Sequence, residues 1–394
     1  MTVTAKNETV ELEERYQLAT YKKMPVVAER GEGVWVHTSD GERYLDLYGG
    51  HAVAGTGHCH PHVVKAIREQ TEKLLFYSNL VYSETRARAA EKLVSVAPDA
   101  LTKAFFCNSG TEANENAMRM ARMATGRTNI VTFSGGFHGR TADAISATFL
   151  GKYREIGNPN VPGHLKAEFG DIDSVRALAD DSVAAIMLEP IQSMAGVKMA
   201  PPSFYRALRE LCDERGIVLI YDEVQTGIGR TGDWFFAGST AGDGVVPDIV
   251  TLAKALGSGV PVGACLVTEA IASHIKENDL GTTFGGGMIA MAAATATLEA
   301  IESDRMLENV RSVEAHLRER LNEIEQVVNV HGRGFLLGLE FVADAKAVHG
   351  ALLEQRIITG TSSDPKVLRL LPPLCLQREH VDLFVDALRK VVAT

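Results

Sequence analysis

The chain has 394 residues, of which 45% are hydrophobic and 23% are charged. This balance is typical of a globular protein and excludes a disordered or fibrous one. The formal net charge of −10, without a basic tail, predicts no nucleic acid and no anionic membrane surface as partner. Runs of about 18 apolar residues are missing, so no membrane-spanning segment is expected.

The cysteines and the N-terminus indicate the compartment. The five cysteines are scattered and odd in number, which favours free thiols in a reducing, cytoplasmic environment. The N-terminal stretch has no apolar core, so we expect no signal peptide.

The first 50 residues predict a small segment with one helix and three strands. Residues 8–20 have the composition of a short acidic helix. Turn-forming sequences separate three short apolar stretches, which predict strands at residues 26–28, 34–37 and 44–47.

A histidine-rich stretch follows. His58, Cys59, His60 and His62 lie within five residues, which is closer than zinc ligands are usually spaced. Because Pro61 is typical of the first position of a helix, we expect a loop and a helix start here and no metal site. A metal site is the weaker alternative.

From about residue 83, helix-like and strand-like segments alternate along the chain. Such alternation predicts an α/β protein with a mainly parallel, doubly wound sheet. The chain then becomes helix-rich, turns strand-like and closes with a helix from Arg378. We therefore predict a large α/β domain and a smaller α+β domain, divided as an N-terminal segment, the large domain and a C-terminal part at residues 1–50, 51–300 and 301–394.

Two apolar runs in the middle of the chain each end in a charged residue. Residues 217–221 precede Asp222, and residues 249–253 precede Lys254. Both runs predict buried parallel strands, whose carboxyl ends form the usual ligand-binding edge. Pyridoxal phosphate needs a lysine for a Schiff base and a carboxylate that keeps its ring nitrogen protonated. The alternative is that Asp222 caps a turn and Lys254 reaches solvent.

Two further motifs follow predicted strands. Ser109, Gly110 and Thr111 begin a helix, where backbone amides favour a phosphate; an ordinary helix cap is the alternative. In the second motif, GGFHGRT at residues 135–141, Phe137 or His138 could stack on a flat ring. Arg140 could bind a carboxylate with two hydrogen bonds. The alternative there is a glycine-rich turn with a solvated arginine.

One motif points to another chemistry. Gly227, Gly229 and Gly232 have the spacing of a dinucleotide-binding loop. Because no helical pattern follows them, no helix N-terminus is available for a pyrophosphate. We therefore reject hydride transfer.

Taken together, the motifs NSGTEAN, FHGRT, LEPIQ, DEVQTGIGRTG and PDIVTLAKALGSG resemble those of the class III aminotransferases. These are pyridoxal phosphate enzymes of fold type I, and the sequence is most similar to the acetylornithine and succinylornithine group. The resemblance covers nearly the whole chain.

The resemblance implies how pyridoxal phosphate is held. Lys254 would form the Schiff base, Asp222 would face the ring nitrogen, and Gln225 would bind the ring hydroxyl. Thr283 would reach the phosphate of the other subunit, which implies a homodimer with the site at its interface. The other implied cofactor contacts are Ser109, Gly110, Thr111, Phe137, His138 and Glu189.

The resemblance also implies two carboxylate sites. Arg140 would bind the α-carboxylate of the donor while the distal amine reacts. Arg369 would bind the carboxylate next to the reacting carbon of 2-oxoglutarate. The remaining substrate contacts would come from Tyr21, His51 and Met194.

Three positions depart from the family pattern. Gly287 and Met288 replace the Asn-Pro that usually follows two glycines, so the helix should start differently. His51 stands where ornithine aminotransferases carry a tyrosine, which argues against free ornithine. Met194 stands where a glutamate usually covers the second arginine, which predicts an open, unpaired Arg369.

The resemblance, with these departures, implies an aminotransferase that moves the terminal amine of an N-acylated ornithine to 2-oxoglutarate, as in arginine biosynthesis. The alternatives are a 4-aminobutyrate or other ω-amino acid aminotransferase and an aminomutase of the glutamate semialdehyde type. A non-catalytic phosphate-binding protein is disfavoured because Asp222 and Lys254 are both present.

Overall fold

The computed structural model describes residues 7–393 of the chain. Residues 1–6, part of the stretch in which no signal peptide is expected, lie outside the described residues, as does Thr394. The helices are α1 (Glu8–Tyr16), α2 (Gly49–Ala52), α3 (Pro61–Lys73), α4 (Glu84–Ser95), α5 (Gly110–Thr125), α6 (Ala142–Ser146), α7 (Tyr153–Ile156), α8 (Ile172–Arg176), α9 (Pro202–Arg215), α10 (Glu269–Ala272), α11 (Met288–Ser303), α12 (Met306–Leu321), α13 (Ala345–Glu354) and α14 (Arg378–Val392). Short 3-10 helices cover Thr240–Gly242 and Lys254–Gly257.

The strands are β1 (Ala28–Glu32), β2 (Trp35–Thr38), β3 (Arg43–Asp46), β4 (Leu101–Cys107), β5 (Asn129–Phe133), β6 (His164–Ala167), β7 (Val183–Leu188), β8 (Ile191–Gln192), β9 (Lys198–Met199), β10 (Val218–Asp222), β11 (Ile249–Leu252), β12 (Gly263–Thr268), β13 (Val327–Arg333), β14 (Leu336–Phe341), β15 (Ile357–Ile358), β16 (Gly360–Thr361) and β17 (Val367–Leu370). Seven of them form the large sheet, in the order β4-β12-β11-β10-β7-β5-β6. Only β12 runs antiparallel to its neighbours, which confirms the predicted mainly parallel sheet.

Helices cover both faces of this sheet because side chains along a strand point alternately to either side. Val218 and Ile220 of β10 pack in one buried cluster with residues of α5. Leu219 and Tyr221, the alternate residues of the same strand, pack in a larger cluster with α9. A strand buried on both faces explains the unbroken apolar run that predicted it.

The two charged residues follow neighbouring strands, as predicted. Strands β10 and β11 pair in parallel, with Asp222 opposite Thr251. Lys254 comes two residues after β11, in the first position of a 3-10 helix and with a φ of 43°. The carboxyl edge of the sheet therefore carries both residues.

One of the remaining sheets, with the order β1-β2-β3-β15, joins the two ends of the chain. Strand β15 pairs in parallel with β3, which brings the C-terminal part beside the N-terminal segment. A second small sheet has the order β13-β14-β17-β16. Helix α11 spans the predicted boundary at residue 300, and the domain boundaries stay a prediction.

The sequence misplaced some elements. The first strand was predicted at residues 26–28, but β1 covers Ala28–Glu32, a mostly exposed strand that pairs with β2. Apolar composition does not identify such a strand, because backbone pairing alone defines it. Strand β6 and helix α13 were also not predicted, because their sequences show only weak hydrophobic patterns.

The histidines of the 58–62 stretch face separate acidic partners. His58 Nε2 lies 2.8 Å from Asp46, His60 Nε2 lies 3.0 Å from Asp304, and His62 Nε2 lies 2.7 Å from Glu299. Within residues 7–393, no cluster of three or more histidine, cysteine or acidic side chains is arranged to hold a metal. No helix in that range is long and apolar enough to cross a membrane.

Candidate active site

Asp222 lies buried at the end of β10 and is fixed by hydrogen-bond donors. Its Oδ2 accepts a bond of 2.7 Å from Asn114 Nδ2 and lies 2.8 Å from His138 Nδ1. Its Oδ1 accepts from the backbone amide of Val224 at 3.1 Å. A carboxylate can only accept hydrogen bonds, so this shell of donors holds it in one orientation.

Asn114 is a site residue that the sequence reasoning missed. Its amide nitrogen donates to both Asp222 Oδ2 and the carbonyl of His138, each at 2.7 Å. Its Oδ1 accepts from Thr251 Oγ1 at 2.6 Å. Because Asn114 lies one helical turn after Gly110, on the buried face of α5, the helical period was the signal that could have found it.

Lys254 and Glu189 lie near this carboxylate. Lys254 is half-buried, and loss of hydration lowers its pKa although Asp222 and Glu189 oppose the shift. Glu189 is buried and accepts a bond of 2.8 Å from the amide of Phe137. Burial, followed by the charge of Asp222, raises the pKa of Glu189 to about 7. Burial therefore shifts the pKa values of both groups in the direction that disfavours their charged forms.

The start of α5 has the geometry of both an ordinary helix cap and an anion-binding site. Ser109 Oγ accepts from the amide of Glu112 at 3.2 Å, which is an ordinary N-cap bond. The amides of Gly110 and Thr111, in the first turn, have no partner within the helix and face outward from its N-terminus. A Cβ at Gly110 would lie 2.9 Å from Val224, so only glycine fits here. The two interpretations of Ser109, Gly110 and Thr111, an ordinary helix cap and a phosphate site, thus apply to the same helix end.

The FHGRT loop packs tightly on that helix. Gly139 has a φ of 139°, and a Cβ there would lie 2.2 Å from Thr111 Oγ1. Thr111 Oγ1 is 2.6 Å from Thr141 Oγ1, so its hydroxyl already has a partner. Glycine is required because the loop must approach the helix closely.

Two buried polar atoms at this site have no hydrogen-bond partner within the described part of the chain. They are Gln225 Oε1 and His138 Nε2. An unsatisfied buried polar atom is costly, so such atoms indicate where a bound group supplies the missing partner. The Phe137 ring is half-buried beside them and packs edge-on against Tyr153 at 5.4 Å.

Arg140 and Arg369 lie in different surroundings. Arg140 is exposed, and its guanidinium lies over the rings of Tyr21 and Tyr153 at 5.5 and 5.2 Å. Arg369 is only 4% exposed. Its Nε donates to the carbonyl of Thr361 at 2.7 Å.

The two terminal nitrogens of Arg369 bind neutral hydroxyls. Nη1 donates to Ser193 Oγ at 3.0 Å and Nη2 to Tyr48 Oη at 2.8 Å. Within residues 7–393, no carboxylate lies within ion-pair distance of this guanidinium. Arg369 thus lacks a charged partner, as predicted from Met194, but it is not open, which corrects the second half of that expectation.

Ser193, rather than Met194, is the residue of the EPIQSM stretch that hydrogen-bonds Arg369. Met194 is half-buried, and its carbonyl accepts from the amide of Ser363 at 2.8 Å. Ser193 replaces the glycine of the family's EPIQGE pattern, so the departure itself was the available signal. His51 lies beside the same pocket, with its Nδ1 2.9 Å from Tyr48 Oη.

Thr283 lies apart from these residues, with an exposed side chain. The neighbouring Thr282 Oγ1 accepts from Asn108 Nδ2 at 3.2 Å and from the amide of Gly285 at 3.0 Å. This places the Thr283 loop beside the start of α5. Helix α11 begins at Met288 without a side-chain cap bond, since its N-cap residue is Gly287.

As the sequence predicted, the GIGRTG loop is not followed directly by an α-helix. It contains a buried arginine, Arg230, which donates to the carbonyls of Phe335 and Pro372. Burial lowers the pKa of Arg230 to about 9. The loop therefore anchors the large sheet to the C-terminal part of the chain instead of binding a dinucleotide.

Comparison with known proteins gives the same family as the motifs. A family model described as "Aminotransferase class-III" matches residues 16–392. The acetylornithine aminotransferase of Methanopyrus kandleri is 44% identical over 387 residues, covering 96% of this chain and 98% of that protein. That of Archaeoglobus fulgidus is 42% identical over 377 residues, with coverage of 96% and 98%.

Solved structures of aminotransferases have the same fold. The ornithine aminotransferase of Toxoplasma gondii superposes with a TM-score of 0.91 at 26% identity, covering 98% of this chain and 96% of that one. The acetylornithine aminotransferase of Elizabethkingia anophelis gives a TM-score of 0.84 at 28% identity, with 98% of both chains covered.

The site fits the cofactor of this family. The first-turn amides of α5 suit its phosphate, and the unpartnered Gln225 Oε1 suits its ring hydroxyl. Asp222 is a fixed carboxylate for its ring nitrogen, and the Lys254 amine has a lowered pKa. Since the family model matches almost the full length of the sequence, the chain belongs to the class III aminotransferases and its cofactor is pyridoxal phosphate.

Proposed function

We propose that this enzyme transfers the terminal amine of an N-acylated ornithine, of the acetylornithine type, to 2-oxoglutarate, giving a semialdehyde and glutamate. The observation that carries the proposal is the pair of arginines with different surroundings. Exposed Arg140 suits the distant α-carboxylate of a long donor. Buried Arg369, without a charged partner within residues 7–393, suits the carboxylate next to the reacting carbon of the acceptor.

The names of similar proteins support an N-acylated ornithine as the donor. Proteins named acetylornithine aminotransferase are 44% and 42% identical to this chain over almost its whole length. At position 51, where ornithine aminotransferases have a tyrosine, this chain has a histidine with a lowered pKa, caused by burial and then by Arg369, Lys254 and Arg140. The guanidiniums of Arg369 and Arg140 near this imidazole favour an anionic substrate and oppose a second free amine.

When bound, pyridoxal phosphate supplies an electron sink for the carbon that carries the amine. Lys254 anchors the cofactor and moves the proton at that carbon, for which a lowered pKa is favourable. Asp222 stays fixed toward the ring nitrogen because Asn114 and His138 hold its Oδ2. Phe137 would cover the ring face of the bound cofactor, near Glu189, whose pKa is raised to about 7.

The homodimer is part of this proposal. Residues 74–82 and Phe284 form an exposed apolar patch, which includes Leu74, Leu75, Phe76, Tyr77, Leu80, Val81, Tyr82 and Phe284. The rings of Phe76 and Phe284 are 5.3 Å apart, so the patch is continuous with the loop of Thr283. A patch of this kind marks a protein interface. A second copy seated there would meet the exposed Thr283 side chain.

A reducing cytoplasmic location and a place in arginine biosynthesis go with this function. The five cysteines are all free thiols, a state that reducing compartments maintain.

A donor and acceptor panel tests the function. Purified enzyme with pyridoxal phosphate is given N-acetylornithine, N-succinylornithine, ornithine or 4-aminobutyrate, each with 2-oxoglutarate or pyruvate. We expect the acylated ornithines with 2-oxoglutarate to give the highest kcat/KM. Faster turnover of free ornithine, or of 4-aminobutyrate, would reject the proposed donor. As a control, Lys254→Ala should lose the Schiff base and abolish turnover, while the variant can still hold pyridoxal phosphate through the phosphate group.

Ornithine is the second candidate donor, because the Toxoplasma gondii ornithine aminotransferase superposes with a TM-score of 0.91. An aminomutase is distinguished by the same panel. It converts its substrate without a 2-oxo acid, so turnover that needs no acceptor would favour it.

A further inference from the structure

The pocket of Arg369 contains a hydrogen-bond chain that leads to His51. Tyr48 Oη lies between Arg369 Nη2, at 2.8 Å, and His51 Nδ1, at 2.9 Å. A guanidinium can only donate, so the phenol oxygen accepts from Arg369. We assign the single phenol proton to the bond with His51 Nδ1, which accepts it in the tautomer of the neutral imidazole that carries its own proton on Nε2.

The charges around His51 agree with a neutral ring. Burial lowers the pKa of His51, and the charges of Arg369, Lys254 and Arg140 add to that effect. Burial raises the pKa of Tyr48, and the charge of Arg369 opposes this rise. The phenol therefore keeps its proton, and the imidazole accepts it in a hydrogen bond.

The backbone turn that presents Tyr48 and His51 to the pocket is strained. Helix α2 is a left-handed turn, with φ of 66° at His51 and 64° at Ala52. Asp46 Oδ1 holds the turn by accepting from the amides of Tyr48 and Gly49, both at 2.8 Å. Non-glycine residues in this conformation are strained, and such strain is found mainly where function requires it.

The Tyr48 ring has no freedom to move away. It is buried, and a Cβ at Gly360 would lie 2.0 Å from its Cε2, so the ring rests directly on that backbone. The remaining freedom at Tyr48 is the direction of its hydroxyl proton. His51 fixes that direction, which keeps the oxygen lone pairs toward Arg369.

We propose that His51 is a positioning residue that determines how well the Arg369 pocket holds the acceptor's carboxylate, acting through the hydroxyl of Tyr48. This deepens the proposed function and rests on it. Without the acceptor at His51, the phenol proton is free to rotate, so the lone pairs of Tyr48 Oη are no longer held toward Arg369 Nη2 and the guanidinium loses part of the support that fixes its orientation. The effect falls on 2-oxoglutarate and glutamate, because the ω-amine donor does not place a carboxylate at Arg369.

A matched pair of variants tests this. His51→Leu and His51→Asn have side chains of the same shape, but only asparagine keeps an acceptor near the position of Nδ1, and asparagine also tolerates the left-handed turn. The dissociation constant of 2-oxoglutarate is measured by titration calorimetry on the cofactor-loaded enzyme. The rate of the N-acetylornithine half-reaction is measured in single turnover, and thermal unfolding checks the fold.

We expect His51→Leu to raise the dissociation constant of 2-oxoglutarate about fivefold, since the hydrogen bond that is lost joins two neutral groups. The donor half-reaction should lose less than the binding of 2-oxoglutarate does, and His51→Asn should restore most of the affinity. In a Tyr48→Phe background, His51→Leu should have no further effect, because the link between the two residues is already broken.

Three results would overturn the inference: equal losses in both half-reactions, the same loss for His51→Asn as for His51→Leu, or additive effects with Tyr48→Phe. A wild-type enzyme that binds 2-oxoglutarate but takes no amine from N-acetylornithine would instead reject the proposed function. The binding ratios would still decide the role of His51 in that case.

Discussion

Asp222 and His138 form a buried pair in which the carboxylate Oδ2 and the imidazole Nδ1 are 2.8 Å apart. Asn114 binds both members, since its amide nitrogen donates to Asp222 Oδ2 and to the carbonyl of His138. Rotation of the carboxylate would break bonds to two residues at once. The orientation of Asp222 is therefore set before any cofactor binds, which is the preorganisation that electrostatic catalysis requires.

Asp222→Asn should fold and retain pyridoxal phosphate but lose at least about 100-fold in kcat, because a neutral amide cannot stabilise a protonated ring nitrogen. The measurement is steady-state turnover together with the cofactor content of the purified protein. Near-normal turnover in this variant would mean that another group performs the task.

Asn114→Ala should lower kcat about 10- to 100-fold, because a hydrogen bond to a charged group is lost and the Asp222 carboxylate gains freedom. Asn116→Ala is the matched control, since Asn116 lies in the same helix and donates only to the carbonyl of Glu112. The two variants are compared by kcat and by thermal unfolding. Equal effects on both quantities would reduce Asn114 to a structural residue.

The central part of the fold was predictable from the sequence for a physical reason. Strands buried on both faces need continuous apolar runs, and residues 217–221 and 249–253 have them. The antiparallel direction of β12 was not predictable, because its composition matches that of its parallel neighbours. The direction depends on contacts with β4 and β11, which are far apart in the sequence.

The candidate site was predictable where a residue stands in a motif, as for Asp222 and Lys254. Asn114 and Ser193 carried local signals that were not used, namely the helical period and the departure from the family pattern, whereas Tyr48 was missed because it acts through a partner distant in the chain. The contact of Arg369 with Tyr48 joins residues 321 positions apart, and no local pattern encodes it.

The buried carboxyl of Glu189 should make stability depend on pH. Burial and then Asp222 raise its pKa to about 7 from an ordinary value of 4.5. A raised pKa gives a stability contribution that is fully present below pH 4.5 and is lost as the pH rises through about 7. Glu189→Gln should remove this loss and gain on the order of 2 kcal/mol relative to wild type at pH 8.

Denaturant unfolding of the cofactor-free protein at pH 5 and pH 8 measures this difference. Glu168→Gln is the control, because that side chain is 58% exposed and should show no such pH dependence. A parallel fall in the stability of wild type and Glu189→Gln between the two pH values would contradict the role of Glu189.

The apolar patch predicts how the assembly can be weakened. Leu80 is 92% exposed in the single chain, and a charge there would be buried in the proposed dimer. Leu80→Asp should shift the protein toward monomer and release cofactor on dilution, because Thr283 of a second copy then no longer reaches the phosphate. Leu383→Asp, a change at an exposed leucine of α14, is the control. A Leu80→Asp dimer as stable as wild type in sedimentation would place the interface elsewhere.

A carboxylate introduced at position 194 should shift the preference of the enzyme between glutamate and the ω-amine donor. Arg369 is buried among neutral oxygens, and burial lowers its pKa, so a nearby carboxylate would be attracted strongly. Met194→Glu supplies one within the chain, next to Ser193, which already binds the guanidinium. This new carboxylate should compete with that of glutamate and slow the glutamate half-reaction about tenfold, while the ω-amine donor is spared or improved.

Met194→Gln is the matched control, because it has the size and polarity of glutamate without the charge. Single-turnover spectra with glutamate and with N-acetylornithine give the ratio of the two rates for each variant. A change in this ratio for Met194→Glu alone would show that the charge reaches Arg369. Equal changes in both variants would indicate an effect of shape, and an unchanged ratio would mean that the side chain at position 194 does not face the guanidinium. In that last case Ser193 and Tyr48 alone would set the affinity of the pocket.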